Sequence, residues 1–142
     1  VADDLLAAAR DRARDNRFWR HLGIDVVEVR EGWARLRVAV SDDLRNAPGA
    51  PVHGGVYAAL VDAAVGCALA TVNAESAGGV GQTTLDLNVT YLAAARGAAI
   101  FAEGGLLRRG RTVAFGEVRI TDEAGTLLAV GRATYLILAP RR

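Results

Sequence analysis

The sequence predicts an α+β domain in which an antiparallel sheet packs around one apolar helix, with a further helix at the N-terminus. Three observations lead there. The chain has 142 residues, 51% hydrophobic, 23% charged and 6% aromatic, which suits one domain with a real core and is far from a disordered composition. Its centre, VYAALVDAAVGCALATV, is apolar on every side except at Asp62 and shows no strand alternation, and a helix hydrophobic all round has to be surrounded. After the glycines Gly78, Gly79 and Gly81, four segments read as strands joined by short turns.

From the N-terminus, Leu5, Leu6, Ala9 and Ala13, then Phe18, Trp19 and Leu22, recur at three- and four-residue spacings between arginines and aspartates. This predicts an amphipathic helix over 3–22, broken near Asn16 and ended by Gly23. Ile24 to Val29, a turn at Glu31-Gly32, and Ala34, Leu36, Val38 and Val40 alternating with Arg35 and Arg37 predict a hairpin with one wet face. Residues 41–54 carry Asp42, Asp43, Asn46, Pro48, Gly49 and Pro51, a long loop of the kind that is often functional in a small domain. The apolar helix then runs from Gly55 to about Asn73. In the next strand Leu85, Leu87, Val89 and Tyr91 alternate with Thr84, Asp86, Asn88 and Thr90; later strands cover about 99–108, 112–121 and 127–138. The four are expected to follow one another as an antiparallel meander. The last has apolar residues on both faces, Leu127, Ala129, Ala133, Tyr135 and Ile137 on one, Leu128, Val130, Leu136 and Leu138 on the other. The apolar helix covers one face, so the N-terminal helix or a second subunit is expected over the other.

All seventeen basic residues are arginine, against sixteen acids, for a net charge of +1. Without lysine there is no Walker-type phosphate lysine, Schiff base or pyridoxal anchor, and the balance argues against nucleic acid or membrane partners. A single cysteine, Cys67, excludes an internal disulfide, a CxxC pair and a cysteine-based zinc site, and it fits a reducing, cytoplasmic setting. Asp3 and Asp4 stand where a signal peptide would be positive, and Asp62 interrupts the longest apolar run, so neither export nor a membrane span is expected. Methionine is absent even at position 1, so the chain is expected to be processed or to begin earlier than its numbering.

Asp62 is the sharpest chemical feature, because an unpaired carboxylate in an apolar helix is strongly disfavoured. The residues alone leave two readings open: a structural carboxylate held by hydrogen bonds or at a wet helix end, or a reacting one. Just before the helix stands His53-Gly54-Gly55, and glycines at a helix N-terminus present backbone N–H groups to an anion or a developing oxyanion.

His53-Gly54-Gly55 followed by Leu60-Val61-Asp62-Ala63-Ala64 resembles the signature of hotdog-fold acyl-CoA thioesterases of the phenylacetic-acid-degradation type. The resemblance extends over 18–138, through GIDVVEV, the hairpin ending at Val40, TLDLNVTYL, RRGRTVAF and GTLLAVGRATYLI. It implies a single hotdog domain over 1–142, with 1–22 as a helical extension and 23–138 as the core. It further implies a homodimer or homotetramer (a dimer of dimers) with active sites at the subunit interface, hydrolysing an acyl-CoA, on family grounds an aryl-acyl one such as phenylacetyl-CoA. No metal or redox cofactor is implied, coenzyme A being part of the substrate.

By the same resemblance Asp62 is the catalytic carboxylate, as nucleophile or as general base for water, and Gly54, with Gly55, supplies the N–H that polarises the carbonyl oxygen. Thr84 helps hold the water and comes from the opposite subunit; taken alone it is an ordinary strand threonine. Asn46 matches a loop residue near the thioester, although its spacing to His53 is one residue longer than usual in the family, and an asparagine before Pro-Gly also makes a turn. His53 belongs to the substrate-binding group by fixing the loop rather than as a base. Arg108, Arg109 and Arg111 are candidate contacts to coenzyme A phosphates, or simply a solvated hairpin tip. Val56, Tyr57 and Leu60, with Phe18 and Trp19, are candidates for the acyl pocket, or core. Cys67 reads as a small buried hydrophobe. The rival function is a non-catalytic acyl-CoA-binding or sensing module on the same fold; a hydratase would pair a catalytic histidine with an acid in another arrangement.

Overall fold

The computed structural model describes residues 2–73 and 81–138, which form one six-stranded antiparallel sheet curled around a long helix. Two short helices precede it, α1 (Ala2–Asp15) and α2 (Arg17–Leu22). The expected break falls at Asn16, whose side chain accepts a hydrogen bond from Trp19 N at 3.1 Å and so caps α2, while Gly23 ends it in the left-handed conformation at φ 73°. Ala9 and Ala13 seat α1 in the core; Phe18, expected on the apolar face, is 59% exposed.

The hairpin pairs β1 (Ile24–Arg30) with β2 (Trp33–Ala39), and Ala34, Leu36 and Val38 turn inward while Arg35 and Arg37 turn out. The apolar helix α3 (Gly54–Asn73) follows the loop, then β3 (Gln82–Tyr91), β4 (Ala99–Arg109), β5 (Val113–Asp122) and β6 (Leu127–Ile137). α3 is long and apolar enough to cross a membrane by length and composition, yet 72% of its most apolar stretch is buried inside the fold, as a helix wrapped by a sheet should be.

The sheet order is β1-β2-β4-β5-β6-β3. The expected four-strand meander is therefore only partly right: β4, β5 and β6 follow one another, but β3 lies at the far edge against β6, and β2 takes the place beside β4. Alternation marks a segment as a strand but carries no information about its neighbour. A second correction concerns phase. The register of β3 against β6 shifts between Thr84 and Asp86, so Thr84, expected on the face opposite Leu87 and Val89, shares their face and pairs with Tyr135. A bulge adds one residue to a strand and so flips the alternation on one side of it.

Close approach of sheet to helix depends on residues without side chains. A Cβ on Gly104 of β4 would stand 2.8 Å from the main-chain carbon of Ala64, and one on Gly116 of β5 2.7 Å from Val65. Backbone cannot yield as a side-chain tip can, so Gly104→Ala is expected to destabilise the protein by about 1–3 kcal/mol through overpacking. A thermal melt checks this; an unchanged Tm would mean that the helix can retreat without loss.

Candidate active site

Asp62 lies at the third turn of α3, on the side facing β3 and β6. Thr84 Oγ1 donates to its Oδ1 at 2.6 Å, and Tyr135 Oη donates to the same oxygen at 2.7 Å while lying 2.8 Å from the Asp62 main-chain carbonyl. Oδ2 has no partner among the described residues. The tyrosine reaches this close because residue 66 is glycine: a Cβ there would sit 2.7 Å from its hydroxyl. Burial, reinforced by the neighbouring Asp62 carboxylate and only partly opposed by the Thr84 hydrogen bond, pushes the Tyr135 phenol well above its ordinary value, so it stays a donor.

This corrects one expectation. Thr84 comes from the same chain as Asp62, because β3 runs beside α3 as the neighbour of β6 and its bulge turns the threonine inward.

Asp62, Thr84 and Tyr135 form one wall of a cavity of about 530 Å³. Ala63, Gly66, Cys67 and Ala70 continue the wall along α3, and Arg12, Asn16 and Trp19 close it from the N-terminal helices. Gln82 braces the join, donating through Nε2 to Gly66 O at 2.8 Å and accepting from Asn73 Nδ2 at 3.2 Å. Burial pushes the Cys67 thiol up to about 11, against an opposing pull from Arg12, so it is a wall residue and not a nucleophile. No group of three or more potential metal ligands occurs among the described residues.

The glycine motif lies elsewhere. Gly54 opens α3 eight residues before Asp62, a rise of about 12 Å at about 1.5 Å per residue, so the two cannot act on one carbonyl within one chain. His53 is the cap of this helix: its Nδ1 accepts from Gly55 N at 2.8 Å and its carbonyl from Val56 N at 3.0 Å. Gly55 N–H is thereby occupied, which removes it as an oxyanion donor, whereas Gly54 N–H has no acceptor among the described residues. Tyr91 Oη donates to Gly54 O at 2.6 Å and holds the motif against β3.

Asn46 belongs to this second group. The longer loop closes on itself through Asn46 N to Pro51 O at 3.1 Å and His53 N to Leu44 O at 2.8 Å, with Gly49 at φ 73°, which leaves Asn46 exposed beside the start of α3 and away from the Asp62 cavity. Val56, Tyr57 and Leu60, expected in the acyl pocket, do not line that cavity; they are buried where the sheet wraps α3, and Tyr57 meets Tyr91 edge-on with centroids 5.7 Å apart. Of the two aromatic candidates from the N-terminal segment, Trp19 lines the cavity and Phe18 does not. Arg108, Arg109 and Arg111 are exposed and carry no acidic partner among the described residues. Ala114 pairs with Tyr135 and Tyr135 with Thr84, so the arginine turn sits at the end of the sheet that holds the Asp62 cavity.

Reasoning from sequence missed Tyr135, Gln82 and the polar rim of Arg12 and Asn16. One signal was available for the first: a tyrosine on an inward strand face needs a partner for its hydroxyl, and Asp62 was the acid in want of one.

A helix wrapped by an antiparallel sheet, bearing one hydrogen-bonded carboxylate over a cavity, also has a family. The profile of the Thioesterase superfamily matches residues 51–129, more than half of the chain, from the loop before α3 into β6. The chain belongs to that superfamily. The human protein named acyl-coenzyme A thioesterase 13 is 35% identical over 129 residues, 89% of this chain and 87% of that one. Among solved structures, a thioesterase-superfamily protein superimposes with a TM-score of 0.85 at 33% identity, covering 94% of this chain and 98% of the other. The Escherichia coli PaaI protein of the phenylacetic acid degradation operon superimposes with a TM-score of 0.84 over 97% and 96% of the two chains, at 17% identity, a likeness of fold. The protein is thus a thioester hydrolase of the hotdog type, an enzyme rather than a sensing module, and Asp62 is to be read within that chemistry.

Proposed function

We propose that this thioesterase hydrolyses acyl-CoA thioesters, aryl-acyl ones in particular, to the free acid and coenzyme A, with Asp62 as the reacting carboxylate. One observation carries the reading: both hydroxyl donors bind Oδ1, so Oδ2 is left to act in the cavity. As general base, Oδ2 takes a proton from the water that attacks the carbonyl carbon; the C–S bond breaks and the thiolate leaves with a proton. As nucleophile, Oδ2 attacks the carbonyl itself, the C–S bond breaks to release the coenzyme A thiolate, and water then cleaves the acyl-aspartate anhydride, giving up the proton that the thiolate takes. Label entering Asp62 during a single turnover in ¹⁸O water identifies the nucleophile route.

The oxyanion donor is assigned to Gly54 of the partner subunit, because the chain's own Gly54 is too far from Asp62. A homodimer, alone or paired into a tetramer, is supported by β3, an edge strand of ten residues with Leu85 55% and Tyr91 54% exposed. An open, apolar edge is a template for a second copy. Light scattering that found only a folded, active monomer would remove the shared site.

The aryl preference is supported by shape. Ala63, Gly66 and Ala70 form a flat stripe on α3, and Trp19 lines the same cavity, a setting that suits a planar ring. Thiol release is therefore expected to be faster from phenylacetyl-, hydroxyphenylacetyl- or benzoyl-CoA than from straight-chain acyl-CoA; the reverse order would refute the preference. The arginine turn is assigned to the coenzyme A phosphates. Replacing Arg108, Arg109 and Arg111 together by alanine is expected to raise KM about tenfold with little change in kcat and to flatten its salt dependence. An unaltered KM would return the turn to a solvated tip. A cytoplasmic setting accords with a single thiol that is buried.

A further inference from the structure

We infer that Tyr135 is a positioning residue for Asp62: its hydroxyl, together with that of Thr84, engages Oδ1 and so selects Oδ2 as the oxygen that acts on the thioester. The inference rests on the reading of Asp62 as the reacting carboxylate. Tyr135 projects from β6 opposite Thr84 of β3, and the two hydroxyls approach Oδ1 at 2.7 and 2.6 Å. Its second approach, 2.8 Å to the Asp62 carbonyl, ties side chain and helix backbone to the same strand. A buried phenol hydroxyl is costly unless it is hydrogen-bonded, and phenylalanine would fill the same core volume, so packing alone does not account for tyrosine here. The absence of a side chain at residue 66 makes room for this contact, since a Cβ would stand 2.7 Å from Oη.

Two donors on one oxygen fix the rotation of the carboxylate about its Cβ–Cγ bond. Removing the Tyr135 hydroxyl leaves Oδ1 with one donor and lets the carboxylate turn, so turnover falls while substrate affinity does not.

The experiment measures kcat and KM for hydrolysis of the fastest acyl-CoA of the panel above for the wild type, Tyr135→Phe, Gly66→Ala and Asp62→Asn, each shown to be folded by its melting curve. Tyr135→Phe is expected to lower kcat about tenfold, with KM little changed. Gly66→Ala, which keeps every hydroxyl but crowds the tyrosine off Oδ1, is expected to lower kcat in the same way, KM again little changed. A wild-type kcat in Tyr135→Phe would overturn the assignment and leave Tyr135 a core residue. If Tyr135→Phe does not fold, the same readings on Gly66→Ala decide, an unchanged kcat again overturning it. Asp62→Asn keeps the two failures apart: should it remain active the reading of Asp62 falls, whereas an inactive Asp62→Asn beside an unaffected Tyr135→Phe removes only the role of Tyr135.

Discussion

Asp62→Asn is expected to lower kcat for acyl-CoA hydrolysis by about 10²–10⁴-fold, the usual contribution of a positioned acid–base group. The substitution is nearly isosteric, and an amide oxygen can still accept from Thr84 and Tyr135, so the donors that meet at Oδ1 keep a partner. What disappears is the charge and basicity of the second oxygen. Folding and substrate affinity are therefore expected to survive while turnover does not, and thiol release under saturating acyl-CoA reads this directly. Turnover indifferent to the change would leave Asp62 a structural carboxylate and move the chemistry elsewhere in the cavity.

The second large effect concerns the donor at the other end of the helix. Gly54→Pro removes the N–H assigned to the thioester oxygen, and loss of one such donor costs about 10²–10³-fold in kcat. Proline is well tolerated at the first position of a helix, after a capping residue such as His53, and the Tyr91 hydroxyl that its Cβ would approach to 3.0 Å is the tip of an exposed side chain with room to move, so the variant is expected to fold. If each site takes Asp62 from one protomer and Gly54 from the other, mixing Asp62→Asn with Gly54→Pro and letting subunits exchange restores activity. Random pairing makes half of the dimers mixed, and each of those has one intact site, so recovery of about a quarter of wild-type turnover is expected. No recovery after proven exchange would place both groups in one chain, against the rise of about 12 Å that α3 puts between them.

Much of this enzyme was legible before any coordinates. The helix hydrophobic all round, the hairpin with arginines on one face and the bounds of the later strands follow from local spacing, because backbone periodicity and turn chemistry are local properties. Asp62 stood out for a local reason too, as an acid in a run of alanine and valine. Thr84 was named from the resemblance but assigned to the wrong chain, since its orientation depends on a bulge that appears only when β3 is aligned with β6. Tyr135 was placed on the correct strand face and given no chemistry, because its partner lies 73 residues away.

Sequence by itself determined the elements, the acid and the family motif, each written within a few consecutive turns or strand residues. Tertiary structure alone decided which strands are neighbours, which oxygen of Asp62 is occupied, and that the glycine motif stands too far along the same helix to serve the acid beside it. The physical reason is range: propensity and alternation act between residues close in the chain, whereas hydrogen bonds across a sheet and the length of a rigid helix relate residues that only folding brings together or holds apart.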